Sequence, residues 1–354
     1  MATSAEDGGI PLESGGSVGD EDDDDDDDNG GDKLDVGGGS GGMAPCAEGG
    51  DCDECVEYEH TPCDNGTTDL FNALGLNCPG EATVTGSTSG SPAAIGIRSS
   101  FGNTAEWAPR EGSVYAVIGS GIINELDTET PPLDPDVGPT HCNDDLGDFD
   151  PGNTLPAPLR TTDVLGDCAA DPTFLGMGDC SNTIQGQFDQ GMSANDYTEI
   201  RILATVPPTN NSISYDFAFF STEYPFYFGS AFNDMYVGWL ESESWTGNIS
   251  FDNQGNPISL NAGFLDFKDA TNGTLNDPAC LNGCSAPELA GTCMKQHAGT
   301  KWLSSTAPVT PGEEITLVLA VFDLSDSILD SYVFLDNFGW GCEGTSTPQT
   351  VPVG

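Results

Sequence analysis

The sequence predicts a mostly β fold: a jelly-roll-like antiparallel β-sandwich with long disulfide-pinned loops and a disordered N-terminal tail. Three observations carry this reading. Short apolar runs with strand periodicity recur along the chain, Gly and Pro punctuate them, and 12 cysteines accompany hardly any amphipathic helical pattern. At 354 residues the chain is long enough for one large β domain with a real core.

Residues 1–45 are Gly, Ser, Asp and Glu with few apolar groups, so they cannot bury enough surface to offset their ordering entropy. They are expected to form an acidic, Gly/Asp-rich tether, with the run Asp22 to Asp28 as a solvated spacer. Residues 46–80 hold Cys46, Cys52, Cys55, Cys63 and Cys78, a small cysteine-rich entry segment. Within it Leu70, Ala73 and Leu74 are spaced for one short helix. Residues 81–342 are assigned to the sandwich. The run from Gly112 to Gly121 is β-rich and bounded by glycine. Residues 124–195, rich in Pro, Asp, Gly and Asn, read as loops pinned through Cys142, Cys168 and Cys180. Ile213, Tyr215, Phe217 and Phe219 alternate as on a half-buried strand. Glu314 to Phe322 is nearly all apolar, as in a central strand, after a Pro311-Gly312 turn. Ser331 to Leu335 is a further strand, and residues 343–354 read as a short C-terminal tail.

Charge narrows the function classes. Lys and Arg total 8 against 58 Asp and Glu, a net charge of -50, and without the eight acids of Glu21 to Asp28 it is still -42. A surface this negative repels nucleic acid and anionic lipid. No run of roughly 18 apolar residues exists, so no membrane span is expected. An even cysteine count in an acidic, Gly-rich chain favours disulfides and an oxidising compartment. The residues after Met1 contain no basic or apolar leader, so the reading expects a leader upstream of this start, with a lipid anchor.

Enzyme motifs are weak. Ser17 and Ser40 each lie in a G-x-S-x-G pattern, but both sit in the low-complexity tail without the strand and helix that a nucleophile elbow needs. With only His60, His141 and His297, a catalytic triad or zinc protease has little raw material. Cys52, Cys55, His60 and Cys63, and separately Cys280, Cys284, Cys293 and His297, have spacings too loose for zinc fingers, and disulfides are preferred.

Two acidic loops follow strands. One carries Glu223, Asn233 and Asp234 among Tyr224, Phe226, Tyr227 and Phe228; the other carries Asp323, Asp326 and Asp330. Calcium takes six to eight oxygens from carboxylates, amides and carbonyls. The six residues Glu223, Asn233, Asp234, Asp323, Asp326 and Asp330 are therefore the candidate calcium ligands, against the alternative of ordinary Asp/Ser/Asn turn chemistry.

The run Tyr215-Asp-Phe-Ala-Phe-Phe-Ser-Thr-Glu-Tyr-Pro-Phe-Tyr-Phe-Gly-Ser-Ala-Phe-Asn-Asp234 resembles the signature of the choice-of-anchor L domain. Phe322 to Asp326 and Leu329 to Asp336 resemble its closing motif, and Gly112 to Gly121 an upstream element. Thr222 stands where the family usually has the first acidic residue of the loop. The resemblance implies a bacterial extracellular domain delivered to the surface, and the acidic N-terminus resembles a lipoprotein spacer. The combined expectation is a non-enzymatic binding or adhesion module at the cell surface. Its partners would be a glycan, matrix or another surface protein. The alternatives are a structural envelope component and a secreted hydrolase using a carboxylate pair such as Glu223 with Asp234.

Overall fold

The computed structural model describes residues 55–354, apart from 57–59, 130–138, 148, 163, 165–167, 169 and 182–183. The expected tether lies outside these residues, as does most of the 46–59 segment.

Fourteen strands among the described residues form two antiparallel sheets. They are β1 (Thr85–Ser89), β2 (Ile95–Arg98), β3 (Tyr115–Gly119), β4 (Ala194–Thr205), β5 (Ser212–Ser221), β6 (Met235–Glu241) and β7 (Thr246–Asn248). The rest are β8 (Ile258–Ser259), β9 (Phe267–Lys268), β10 (Ala298–Gly299), β11 (Leu303–Pro308), β12 (Glu314–Leu324), β13 (Ser331–Gly341) and β14 (Gln349–Pro352). The first sheet runs β1-β4-β12-β6-β7, with β8 on β6; the second runs β14-β11-β5-β13-β3-β2, with β9 and β10 extending from β5. Helix α1 (Leu70–Ala73) forms where the Leu/Ala spacing predicts it, capped by the Asp69 carboxylate accepting from the Phe71 and Asn72 amides. A second helix, α2 (Ile184–Gly191), interrupts the long-loop region.

Period-2 alternation explains the layers. Ile213, Tyr215, Phe217 and Phe219 of β5 point into the core between the sheets, against Ile200, Ile202, Leu317 and Leu319. The opposite face of β5 was expected to be exposed, and it is not. Ala218 and Phe220 lie under Phe101, Trp107, Leu289, Met294 and Trp302. The outer face of the first sheet is covered likewise, with Val318, Ala320 and Phe322 under Leu155, Leu159, Ile184 and Phe188. The Pro/Gly-rich loops are thus outer layers of the core, which is why β5 and β12 are almost wholly apolar.

Disulfides fix these layers: Cys55–Cys342, Cys63–Cys78, Cys142–Cys293, Cys168–Cys180 and Cys280–Cys284. The C-terminal segment also differs from the expected short tail. Residues 349–352 form β14, paired with β11, and Thr350 Oγ1 lies 2.9 Å from Ser305 Oγ. Its inward position is the polar Thr350 and its one valine, Val351, is exposed, so apolar patterning does not reveal the strand in sequence.

The outer aromatic cluster is testable. Phe220 packs on Phe101, Trp107 and Phe334 with ring centroids 4.6–5.1 Å apart. Phe220→Ala is expected to lower urea-unfolding stability by about 3–5 kcal/mol. A loss under about 1 kcal/mol would show that the covering layer is loosely packed.

Candidate functional site

The two acidic loops meet because both chain segments cross between the sheets at the same end. β5 leaves the second sheet and β6 begins in the first; β12 leaves the first and β13 begins in the second. Ser221 at the end of β5 pairs with Ser331 at the start of β13, which aligns the two crossings. Glu223 follows β5, Asp234 precedes β6, Asp323 lies near the end of β12 and Asp330 precedes β13. All four are fully buried.

Their partners divide them into two kinds. Asp234 Oδ1 accepts from the Leu324 amide at 3.1 Å and Oδ2 from Ser331 Oγ at 2.7 Å. Asp330 Oδ1 accepts from the Asp144 amide at 3.0 Å and Oδ2 from Tyr332 Oη at 2.9 Å. By contrast, neither oxygen of Glu223 has a hydrogen-bond donor, and Asp323 makes no well-formed hydrogen bond but faces the Ser120 hydroxyl and the Asp234 carboxyl. Gly121 belongs to this packing: a Cβ there would lie 1.6 Å from Asp330 Oδ2.

The other two expected ligands behave differently. Asp326 is only partly buried at the rim, and its Oδ1 faces the Ile328 amide at 3.4 Å. Asn233 is buried, but its Oδ1 already accepts from the Asn261 amide at 2.9 Å. Asn233 therefore pins the 261 turn instead of presenting a free oxygen. Thr222, in the place of the family's acid, bridges loops: its Oγ1 lies 3.1 Å from the Cys142 carbonyl and 3.2 Å from that of Asp330.

A third loop completes the wall, and sequence reasoning missed it. Residues 139–147 lie against the chamber, tied by Cys142–Cys293, by the Asp330 amide to the Cys142 carbonyl, and by the Leu329 amide to Asn143 Oδ1. It brings Asp144, whose Oδ2 is buried without a donor; beyond it, Asp150 accepts from the Asp196 amide. Asp196 receives the Leu146 and Gly147 amides on Oδ1, while its Oδ2 is also buried and unpartnered. The dense string Asn143-Asp144-Asp145 followed by Gly147 was the available signal.

Electrostatics follows from burial. None of the ion pairs among the described residues includes Glu223, Asp234, Asp323 or Asp330. Burial, with the charges of Asp234 and Asp326 nearby, holds the Glu223 carboxyl far above the carboxylate range. Burial likewise raises Asp323, beside Asp234 and Asp330, and Asp330, beside Asp144 and Asp234. Asp196 is pushed up to about 7 by burial and by Asp150.

The remaining constellations have structural explanations. His60, Cys78 and Glu81 lie close enough for a metal, but Cys78 is bonded to Cys63 and offers no thiolate. The His60 ring nitrogens contact Glu81 and Glu111 instead. Among the described residues no cysteine is free, and Cys55, Cys63, Cys280, Cys284 and Cys293 of the zinc-like spacings are all in disulfides, while Cys52 lies outside the described residues. Tyr224 is a core plug, while Phe226, Tyr227 and Phe228 are half-buried. Pro225 and Phe226 line a recess of about 220 Å³ with Ala270, Thr271, Asn272, Gly273, Thr274 and Gln296, which carries no charged side chain.

A disulfide-rich, acidic β-sandwich with an oxygen-lined chamber between strand ends is an architecture suited to the cell exterior. Residues 179–339 match the model of the Choice-of-anchor L domain family, and the chain carries that domain. No curated protein and no solved structure matches the chain. The domain points to a surface-associated, extracellular protein and is not known as an enzyme. No helix among the described residues is long and apolar enough to cross a membrane.

The raised carboxyls predict a pH profile. A carboxyl with a folded pKa above its unfolded value keeps its proton longer in the native state, so stability falls as pH rises between the two. Asp196 at about 7 and Asp336 at about 8 titrate in this window, and the chamber carboxyls act in the same sense. Burial holds His297 down to about 4, so its contribution is lost only as pH falls below its ordinary value of 6.5. With a chelator present, the melting temperature is therefore expected to drop between about pH 6.5 and 8.5. A flat or rising profile would show that these carboxyls ionise without cost.

Proposed function

We propose that the chain is a surface-displayed, non-enzymatic binding or adhesion module whose strand-end loops are set by calcium. The observation that supports this best is the fully buried Glu223 carboxyl, which has no donor on either oxygen, in a junction shared with the buried Asp234, Asp323 and Asp330. An isolated buried charge costs several kcal/mol, so such groups either stay protonated or hold a cation. Hard oxygen ligands of this kind suit calcium, and an extracellular location supplies it. Asp326 at the rim would contribute, and Asn233 would support the site by holding the 261 turn.

The cation would act on recognition through one loop. Glu223 and Phe226 belong to the same short segment, and the amide of Asn276 holds the Pro225 and Phe226 carbonyls beside the recess. An uncharged recess with one aromatic face, amides and hydroxyls suits a glycan of the envelope or matrix better than a charged partner. The hydrolase reading loses its basis at Glu223 and Asp234, because a glycosidase pair works in an open cleft and these two are closed off from solvent.

Melting the full chain with calcium, with magnesium and with chelator tests the cation. Calcium at 100 times its dissociation constant should add about 2.7 kcal/mol, absent with magnesium and lost in Asp234→Asn. Equal effects of both ions, or none, would return the loops to turn chemistry. For the recess, Phe226→Ala and Asn272→Ala are expected to weaken binding to isolated envelope polysaccharide several-fold without changing the melting temperature. Unchanged binding in both variants would remove the recess as the ligand face.

A further inference from the structure

We propose that the reduced chain binds a zinc ion at His60, Cys63, Cys78 and Glu81, and that the Cys63–Cys78 disulfide replaces that ion on oxidation. The site shares no residue with the strand-end chamber and does not depend on the calcium reading.

Sequence and local structure bring the four residues together. His60 and Cys63 have the same spacing as Cys78 and Glu81, H-x2-C and C-x2-E. Cys78-Pro79-Gly80-Glu81 is a tight turn: the Glu81 amide donates to the Cys78 carbonyl at 3.1 Å, and Gly80 has a φ of +98°. Pro and Gly in these places fit a type II turn, which brings its two ends together. The metal-ligating atoms of His60, Cys78 and Glu81 lie within 4.8 Å of one another. Cys63 Sγ is bonded to Cys78 Sγ and so completes the cluster. Two ligands of one zinc stand at most about 4.6 Å apart, because Zn–S is about 2.3 Å and Zn–N and Zn–O are shorter. The four atoms are thus already gathered at the scale of a zinc site. Cys78 is buried, while His60, Cys63 and Glu81 are half-buried, which shields the cluster and leaves it within reach of an ion.

The histidine is oriented as a zinc ligand is. Its Nδ1 lies 2.5 Å from Glu81 Oε1, and its Nε2 lies 2.9 Å from Glu111 Oε2. Zinc-bound histidines commonly give their second ring N–H to a carboxylate, which fixes the tautomer and raises the basicity of the ligating nitrogen. Glu111 fills that place. Its amide faces Asp336 Oδ2 at 3.4 Å, and a Cβ on Gly75 would stand 2.5 Å from its Oε1, so it is closely packed. A disulfide alone needs neither an imidazole nor a carboxylate beside it. Two thiolates, an imidazole and a carboxylate form a closed tetrahedral set suited to zinc.

The exchange balances. A dithiol reduces Cys63–Cys78 by thiol–disulfide exchange, leaves as its own disulfide and yields two thiols. Zinc displaces the two thiol protons and sets the sulfurs about 3.8 Å apart, the edge of a tetrahedron built on Zn–S bonds. A small-molecule disulfide then takes two electrons from the thiolates, leaves as two thiolates of its own, re-forms the bond and frees the ion. In a reducing compartment before export, zinc holds residues 60–63 against 78–81 and keeps two of the 12 cysteines from mispairing; outside, the disulfide takes over.

Cobalt(II) is the probe, because its visible bands report tetrahedral thiolate coordination and zinc displaces it. Full-length wild type, His60→Ala, Glu81→Gln and Glu111→Gln are reduced with a phosphine and titrated, with circular dichroism as the check on folding. All four keep every cysteine, so binding to other thiols is common to them and the differences isolate this site. Wild type is expected to show the bands. His60→Ala and Glu81→Gln are expected to lose affinity by at least about tenfold, and Glu111→Gln, which removes no ligand, by about 10–100-fold. Oxidised glutathione is expected to abolish the wild-type bands, release the metal and restore Cys63–Cys78, read by peptide mapping. A reduced wild type without thiolate bands overturns the site. Bands of unchanged affinity in both His60→Ala and Glu81→Gln overturn it as well.

Discussion

Everything at the functional end of this domain depends on the burial of like charges where two chain crossings meet. Glu223, Asp234, Asp323 and Asp330 sit where β5 passes to β6 and β12 passes to β13. Their hydrogen bonds organise that junction. Asp234 alone joins the end of β12, through the Leu324 amide, to the start of β13, through Ser331. Asp330 brings in the 139–147 loop through the Asp144 amide. Removing the carboxylates would leave those amides and hydroxyls buried without acceptors, at a cost of about 1–3 kcal/mol each. Keeping them imposes a repulsion that only protons or cations relieve.

The protein spends its few basic side chains elsewhere. Arg98, Arg110, Arg201, Lys268 and Lys295 pair with Asp127, Asp216, Glu199, Asp277 and Glu129. Lys268 also lies over the Phe228 ring, 4.6 Å from its centroid, and so steadies the aromatic loop. Among the described residues the chamber is therefore left without a protein counter-ion, in a chain whose acids outnumber its bases 58 to 8.

How much of this is legible in sequence depends on the strand. β5, β12 and β13 are readable because apolar side chains dominate them, and the covered outer faces explain why. β4 is central yet harder to read. Its Asp196, Thr198, Glu199 and Arg201 interrupt the apolar pattern: Asp196 is held by the distant Leu146 amide, while Glu199 is paired with Tyr197 and Arg201 on its own strand. The acidic strand-end residues stand out because Asp and Glu seldom flank apolar strands without reason. Asp144 and Asp196 do not stand out, because in sequence they are two acids among many. Only the Cys142–Cys293 bond and the fold bring them to the chamber. Asn233 stands out as the strand-end acids do and lies beside Asp234, and its amide oxygen accepts from the Asn261 amide.

The bond between Cys55 and Cys342 spans 287 residues and joins the first described position to the end of β13's sheet. For a molecule held at a surface through its N-terminal side, this makes the covalent route for mechanical load very short. A load that enters at Cys55 and leaves beyond Cys342 crosses that bond directly and bypasses the intervening chain. The sandwich, its acidic chamber and the recess all lie within that bypassed loop. Pulling between the two chain ends loads the disulfide and leaves the strands that shape the recess unstrained, so long as the bond stays oxidised.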